Sequence, residues 1–151
     1  MRKTSMLILT LFALSPLLAW ADDDPEPPGK GGPELRKLRG KWVATRRLSN
    51  GKEMKPPAKT AITYVFDGDK VTYESGKLKY VAKVKVDTKS KPHVLELIRE
   101  DVKSTRKMAF KIDKGELYLA SGGFKGDDLT KVDFSGNNGL VLILEREKKD
   151  K

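Results

Sequence analysis

The chain has 151 residues, no cysteine, one histidine and a formal charge of +10 at pH 7. Without cysteine there is no disulfide framework, no thiolate ligand and no thiol nucleophile, and a single histidine cannot build a multi-histidine metal site. Beyond its first residues no stretch is apolar enough to cross a membrane as a helix, which takes ~20 residues.

The N-terminus has the three parts of a secretory signal peptide. Met1-Arg2-Lys3 is positive, Met6 to Leu14 is apolar, and Ala19-Trp20-Ala21 is an A-x-A cleavage site ahead of Asp22-Asp23-Asp24. Ser15-Pro16 interrupts the apolar run and leaves it too short for a membrane anchor. Residues 1–21 are therefore expected to be removed and the rest exported, to the periplasm or outside the cell. No cysteine follows the cleavage site, so lipid attachment there is excluded. Cleavage would leave 130 residues with 29 basic and 21 acidic side chains, a net +8. That length suffices for one self-supporting core without cross-links.

Residues 22–33, dominated by Asp, Pro and Gly, read as a disordered linker. Residues 34–147 read as one domain and 148–151 as a charged tail. Pro33 to Leu38 fits one short helical turn before Gly40. From there a period of two dominates, with almost no helical stripe. Strands are expected near 41–48, 60–66, 69–75, 78–86, 93–100, 105–112, 115–121 and 139–146. In the fourth, Leu78, Tyr80, Ala82, Val84 and Val86 share one face while Lys77, Lys79, Lys83 and Lys85 share the other. In the sixth, Arg106, Met108, Phe110 and Ile112 alternate with Thr105, Lys107, Ala109 and Lys111. Asn50-Gly51, Asp67-Gly68, Ser75-Gly76, Lys114-Gly115 and Asn138-Gly139 supply turn residues that tolerate positive φ.

Eight strands joined by short turns favour an all-β antiparallel up-and-down barrel, because closure hides every edge. A two-sheet sandwich is the alternative. The last strand, Leu140 to Leu144, is apolar on both faces and needs cover on both. The Leu35–Leu38 turn is the candidate for its outer side. The long link from Ser121 to Asn138 is compatible with a lid, an extra hairpin or a plain loop.

Several segments resemble the exported lipocalin-like domains abundant in planctomycete bacteria. They are Leu38-Arg39-Gly40-Lys41-Trp42, Phe66-Asp67-Gly68-Asp69-Lys70-Val71, Phe134-Ser135, Gly139-Leu140-Val141-Leu142 and Glu145-Arg146. The resemblance spans about residues 35–147 and implies the barrel, but that family has no established activity. The wider lipocalin pattern, Gly40-x-Trp42 with Arg146 on the last strand, implies that Trp42 plugs the closed end and Arg146 packs across it.

No catalytic constellation is evident, and no cofactor or metal is implied. His93 follows Pro92 at a strand start and reads as an ordinary strand-end residue. Ser121-Gly122-Gly123 reads as a turn and not as a nucleophile elbow. Asp67/Asp69 and Glu145/Glu147 are explained by turn and strand-end chemistry. Asp127/Asp128 could meet a hard cation, although the calcium-loop pattern is missing.

Two candidate surfaces remain. The inner face carries Ile62, Tyr64, Phe66, Tyr73, Tyr80, Met108, Phe110, Leu117 and Leu119, which either fill the barrel or hold a small apolar or amphipathic ligand. The lysine face of Lys77, Lys79, Lys83 and Lys85 could instead meet an anionic lipid or polymer of the cell envelope. Lysine is also the residue sheets use to keep exposed faces from aggregating, and no aromatics interleave here, which counts against a nucleic-acid platform. A non-enzymatic, exported small-molecule binder is the leading expectation, and an envelope interaction module the alternative.

Overall fold

Residues 32–56, 59–121 and 128–148 are described by a computed structural model of the chain. The expected helical turn is α1 (Pro33–Leu38). The period-two segments become β1 (Gly40–Ser49), β3 (Ile62–Asp67), β4 (Lys70–Ser75), β5 (Leu78–Asp87), β6 (His93–Arg99), β7 (Ser104–Asp113), β8 (Glu116–Ser121) and β9 (Leu140–Arg146). A further short strand, β2 (Lys52–Met54), follows the Asn50-Gly51 turn. Both turn residues have positive φ, 51° and 68°, the geometry that lets a two-residue hairpin follow the twist of its strands.

All pairings are antiparallel, in the order β2-β1-β3-β4-β5-β6-β7-β8-β9. β1 also pairs with β9, from Trp42 opposite Arg146 to Ser49 opposite Leu140, and this closes the ring. The fold is thus a closed eight-stranded up-and-down barrel with β2 added beside the far half of β1, not a sandwich.

The barrel has two unlike ends. One gathers the start of β1, the β3–β4 and β7–β8 turns, the end of β9 and α1. There the Trp42 indole, 1% exposed, donates from Nε1 to the Leu38 carbonyl at 2.6 Å. The Arg146 guanidinium lies 4.7 Å from the Trp42 ring centroid and donates to the Lys37 carbonyl at 2.6 Å. A cation over an indole contributes ~0.5–2 kcal/mol, and the two carbonyls are α1 acceptors that the helix itself cannot satisfy. Leu35 and Leu38 enter the interior cluster beside Trp42. We call this the closed end, and the opposite one, with the β1–β2, β4–β5 and β6–β7 turns, the mouth.

The placement of α1 corrects one expectation. The Leu35–Leu38 turn does not cover the outer side of β9; it caps the interior. The outer side is covered by residues 129–134, which begin with a 3₁₀ turn at Leu129–Lys131. Leu129, Val132 and Phe134 pack there with Val141 and Ile143 of β9, Ala120 of β8 and Ala109 of β7. Ala109 lies on the face expected to be wet, yet it is buried because this segment crosses it. The described part of the 121–138 link is an outer strap, neither lid nor hairpin; residues 122–127 lie outside the described residues. So do residues 1–21, expected to be a signal peptide, and all but the last two residues of the segment 22–33 expected to be a linker.

Candidate functional site at the barrel mouth

The inner-face residues divide into two groups by depth. Tyr64, Phe66, Met108, Phe110, Leu117 and Leu119 are buried, and they fill the middle and closed end together with Val71, Leu95, Leu97 and Leu144. Burial of each such large side chain contributes ~1.5–3 kcal/mol, which identifies this group as the stabilising core. Ile62, Tyr73 and Tyr80 are only partly buried and pack onto that core from the mouth side.

Toward the mouth the rings form a ladder. Tyr64 meets Tyr73 edge-on at 5.0 Å, and Tyr73 stacks on Tyr80 at 4.9 Å. Strand register brings three arginines onto the same inner face. Arg99 is two residues beyond the buried Leu97, and its guanidinium lies 4.3 Å from the Tyr80 ring centroid. Arg106 pairs with Leu97 across β6 and β7 and is in phase with buried Met108 and Phe110. Its charge acts on the Tyr80 hydroxyl across the inner face. Arg47 pairs with inner-facing Leu142 across β1 and β9.

Arg47 faces inward because β1 is irregular. The register with β9 shifts between Ala44 and Arg46, so one extra residue, Thr45, is inserted and the alternation changes phase. Trp42 and Ala44 face the core before the shift; after it Arg47 faces inward and Leu48 packs against the outer strap.

The electrostatics match this arrangement. Burial pushes the Tyr64 and Tyr80 hydroxyls up from their ordinary pKa, and the nearby Arg106 charge opposes that rise in both. Arg99 is held by Asp101 through two contacts, Nε to Oδ1 at 3.1 Å and a second nitrogen to Oδ2 at 2.5 Å. The Nε of Arg47 is buried and has no hydrogen-bond partner among the described residues. Around the rim stand Met54 of β2, Leu78 at the β4–β5 turn and Val102 in the β6–β7 turn, exposed to 41%, 53% and 54%. Val81 and Ile112 are exposed elsewhere, to 54% and 38%, but three large open apolar residues at one end are a feature of the kind that marks binding surfaces.

The lysine face looks different in place. Lys79 is paired with Glu74 at 2.5 Å and Lys83 with Glu100 at 2.5 Å. Lys85 lies opposite Glu96, which itself pairs with Lys107 at 2.9 Å. Cross-strand acids therefore interrupt the positive stripe, and Lys77 stands apart at the β4–β5 turn. A shallow hollow of roughly 430 Å³ on this side is lined by Lys70, Val81, Ile98 and Asp101 among others. A larger open groove at the closed end mixes Arg36, Arg39, Lys41 and Lys114 with Glu116, Glu145 and Glu147.

His93 tilts against Phe110 at 5.9 Å, a packing contact at the closed end. Asp128 accepts from the Thr130 backbone N–H at 3.1 Å and starts the 3₁₀ turn; Asp127 lies outside the described residues. Compared with protein-family models, curated proteins and solved structures, the chain has no match.

Proposed function

We propose that this is an exported, non-catalytic, lipocalin-like binding protein that takes a small amphipathic molecule at its mouth. The carrying observation is the coincidence of Met54, Leu78 and Val102 at one end of the barrel with the partly exposed Ile62, Tyr73 and Tyr80 just inside it. An apolar wall with a few convergent polar groups is the usual composition of a small-molecule site. The filled core beneath it favours binding across the mouth over binding deep in the shaft. The resemblance to exported lipocalin-like domains, carried by Gly40-x-Trp42 and Arg146, supports the same reading.

Titration with the neutral, environment-sensitive dye N-phenyl-1-naphthylamine tests it. Saturable fluorescence enhancement is expected, weakened about tenfold by the double substitution Met54→Asp and Leu78→Asp, since desolvating new charge against an apolar ligand is costly. Both side chains are exposed, so the fold should persist. Absence of saturable binding, or binding indifferent to the rim substitutions, would overturn the proposal.

A further inference from the structure

The arginines at the mouth are chemically unlike the arginine at the closed end. Arg146 has a carbonyl acceptor and an indole face, and Arg99 has a carboxylate and a phenol ring. Both are fully engaged as structural groups. Arg47 is not: its buried Nε lacks a partner among the described residues, although a buried N–H left unpaired costs about 1–3 kcal/mol. Arg106, opposite buried Leu97 and in phase with Met108, stands on the inner face and is exposed. Neither forms an ion pair among the described residues.

The buried, unpartnered Nε makes the inward guanidinium of Arg47 costly unless a ligand acceptor meets it, and Arg106 adds a second, exposed guanidinium on the same inner face. The nearby carboxylate on the mouth side, Asp101, is already committed to Arg99. The rim adds Lys52, Lys77 and Lys103, all exposed, whose charge would draw an anion toward the opening.

We propose that the mouth recognises the oxyanion head of an amphipathic molecule, a carboxylate or a phosphate monoester, through Arg47 and Arg106. The Tyr80 hydroxyl is placed to share the head group, while Tyr73, Ile62, Leu78 and Met54 would meet the apolar tail. Arginine suits this task because its planar fork can donate two parallel hydrogen bonds to an oxyanion. The inference rests on the proposed binding of an amphiphile at the mouth and adds the charge of its head.

Isothermal titration with dodecanoate, dodecyl phosphate and dodecanol, each below its aggregation concentration, separates the two ideas. At least one anionic ligand should bind about tenfold or more tightly than dodecanol, the effect of one charge-assisted hydrogen-bonded contact. Arg47→Gln and Arg106→Gln should each reduce that preference, weakening the anionic ligand by a clearly larger factor than dodecanol. Arg106 is exposed, so its variant stays interpretable should Arg47→Gln impair folding. Equal affinity for dodecanol and both anions would overturn the head-group assignment and leave amphiphile binding intact. Preference retained in both arginine variants would also overturn it. Failure of all three ligands to bind would overturn both ideas.

Discussion

Arg46, one residue before the mouth arginine, faces outward and shows how differently the same side chain is used one step along β1. It meets Glu116 at 2.5 Å, and the Tyr118 hydroxyl donates to the other Glu116 oxygen at 2.9 Å. These contacts, led by the Arg46 hydrogen bond, hold the Glu116 carboxyl below its ordinary pKa of 4.5. A carboxyl with a lowered folded pKa stabilises the fold fully above its unfolded value, and that contribution is lost as pH falls through the folded one. Asp87, Asp101, Asp128 and Asp133 are lowered in the same direction by local hydrogen bonds, so stability should decline in acid. Arg46→Gln removes the largest cause at Glu116. The variant should be less stable than the parent at neutral pH, and the gap should narrow once pH drops below about 4.5. Urea midpoints measured from pH 7 to pH 3 would check this; a gap of constant size would exclude Glu116 as its source.

At the scale of elements, the strap from 129 to 136 shows a short apolar segment fixing the outside of a barrel. Phe134 meets Tyr118 edge-on at 6.4 Å, and the strap returns to β1 through Gly136, whose carbonyl accepts from the Gly51 N–H at 3.3 Å. Gly136 has φ of +80°, and a Cβ built there would lie 2.6 Å from the Leu48 Cβ and 3.0 Å from its backbone carbon. Gly68 also has positive φ, +57°, but nothing lies within 4 Å of its Cβ position. Both Ala substitutions carry the left-handed backbone cost of ~1–2 kcal/mol, but only Gly136→Ala adds a clash with backbone. Chemical denaturation should therefore rank Gly136→Ala as clearly more destabilising than Gly68→Ala. Equal losses would mean that the strap moves freely over Leu48. This strap was hard to read from sequence because Leu129-Thr-Lys-Val132-Asp-Phe134 has neither a helical stripe nor strict alternation. Its signature lay on its partners: β9 apolar on both faces, and Ala109 and Ala120 small where charged residues would otherwise stand.

For the whole molecule, alternation in β5 and β7 and the turn glycines made the barrel legible, since a half-buried sheet forces period two and its turns force positive φ. The functional end was less legible. Arg106 sat visibly in phase with Met108 and Phe110, but Arg47 reaches the interior only through the register shift at Ala44/Arg46, which no local pattern announces. β2 was hidden for another reason: Lys52-Glu53-Met54 is short and exposed, held by pairing rather than burial. Without cysteine, the architecture stands on burial and on ring closure, and the two can be separated by truncation. Starting the chain at Arg39 would remove α1, exposing the Trp42 end and depriving Trp42 Nε1 and Arg146 of their carbonyl acceptors, but would leave the strand ring complete. Ending it at Gly139 would remove β9, which pairs with both β1 and β8 and supplies Leu142 and Leu144 to the interior and Val141 and Ile143 to the strap. The first truncation should keep β-type far-ultraviolet ellipticity at a lowered urea midpoint, with Trp42 emission shifted to the red. The second should abolish cooperative unfolding, because it opens two long edges and both apolar clusters at once. Cooperative unfolding that survives loss of β9 would show that the remaining strands form a stable open sheet and that closure is not what holds this barrel together.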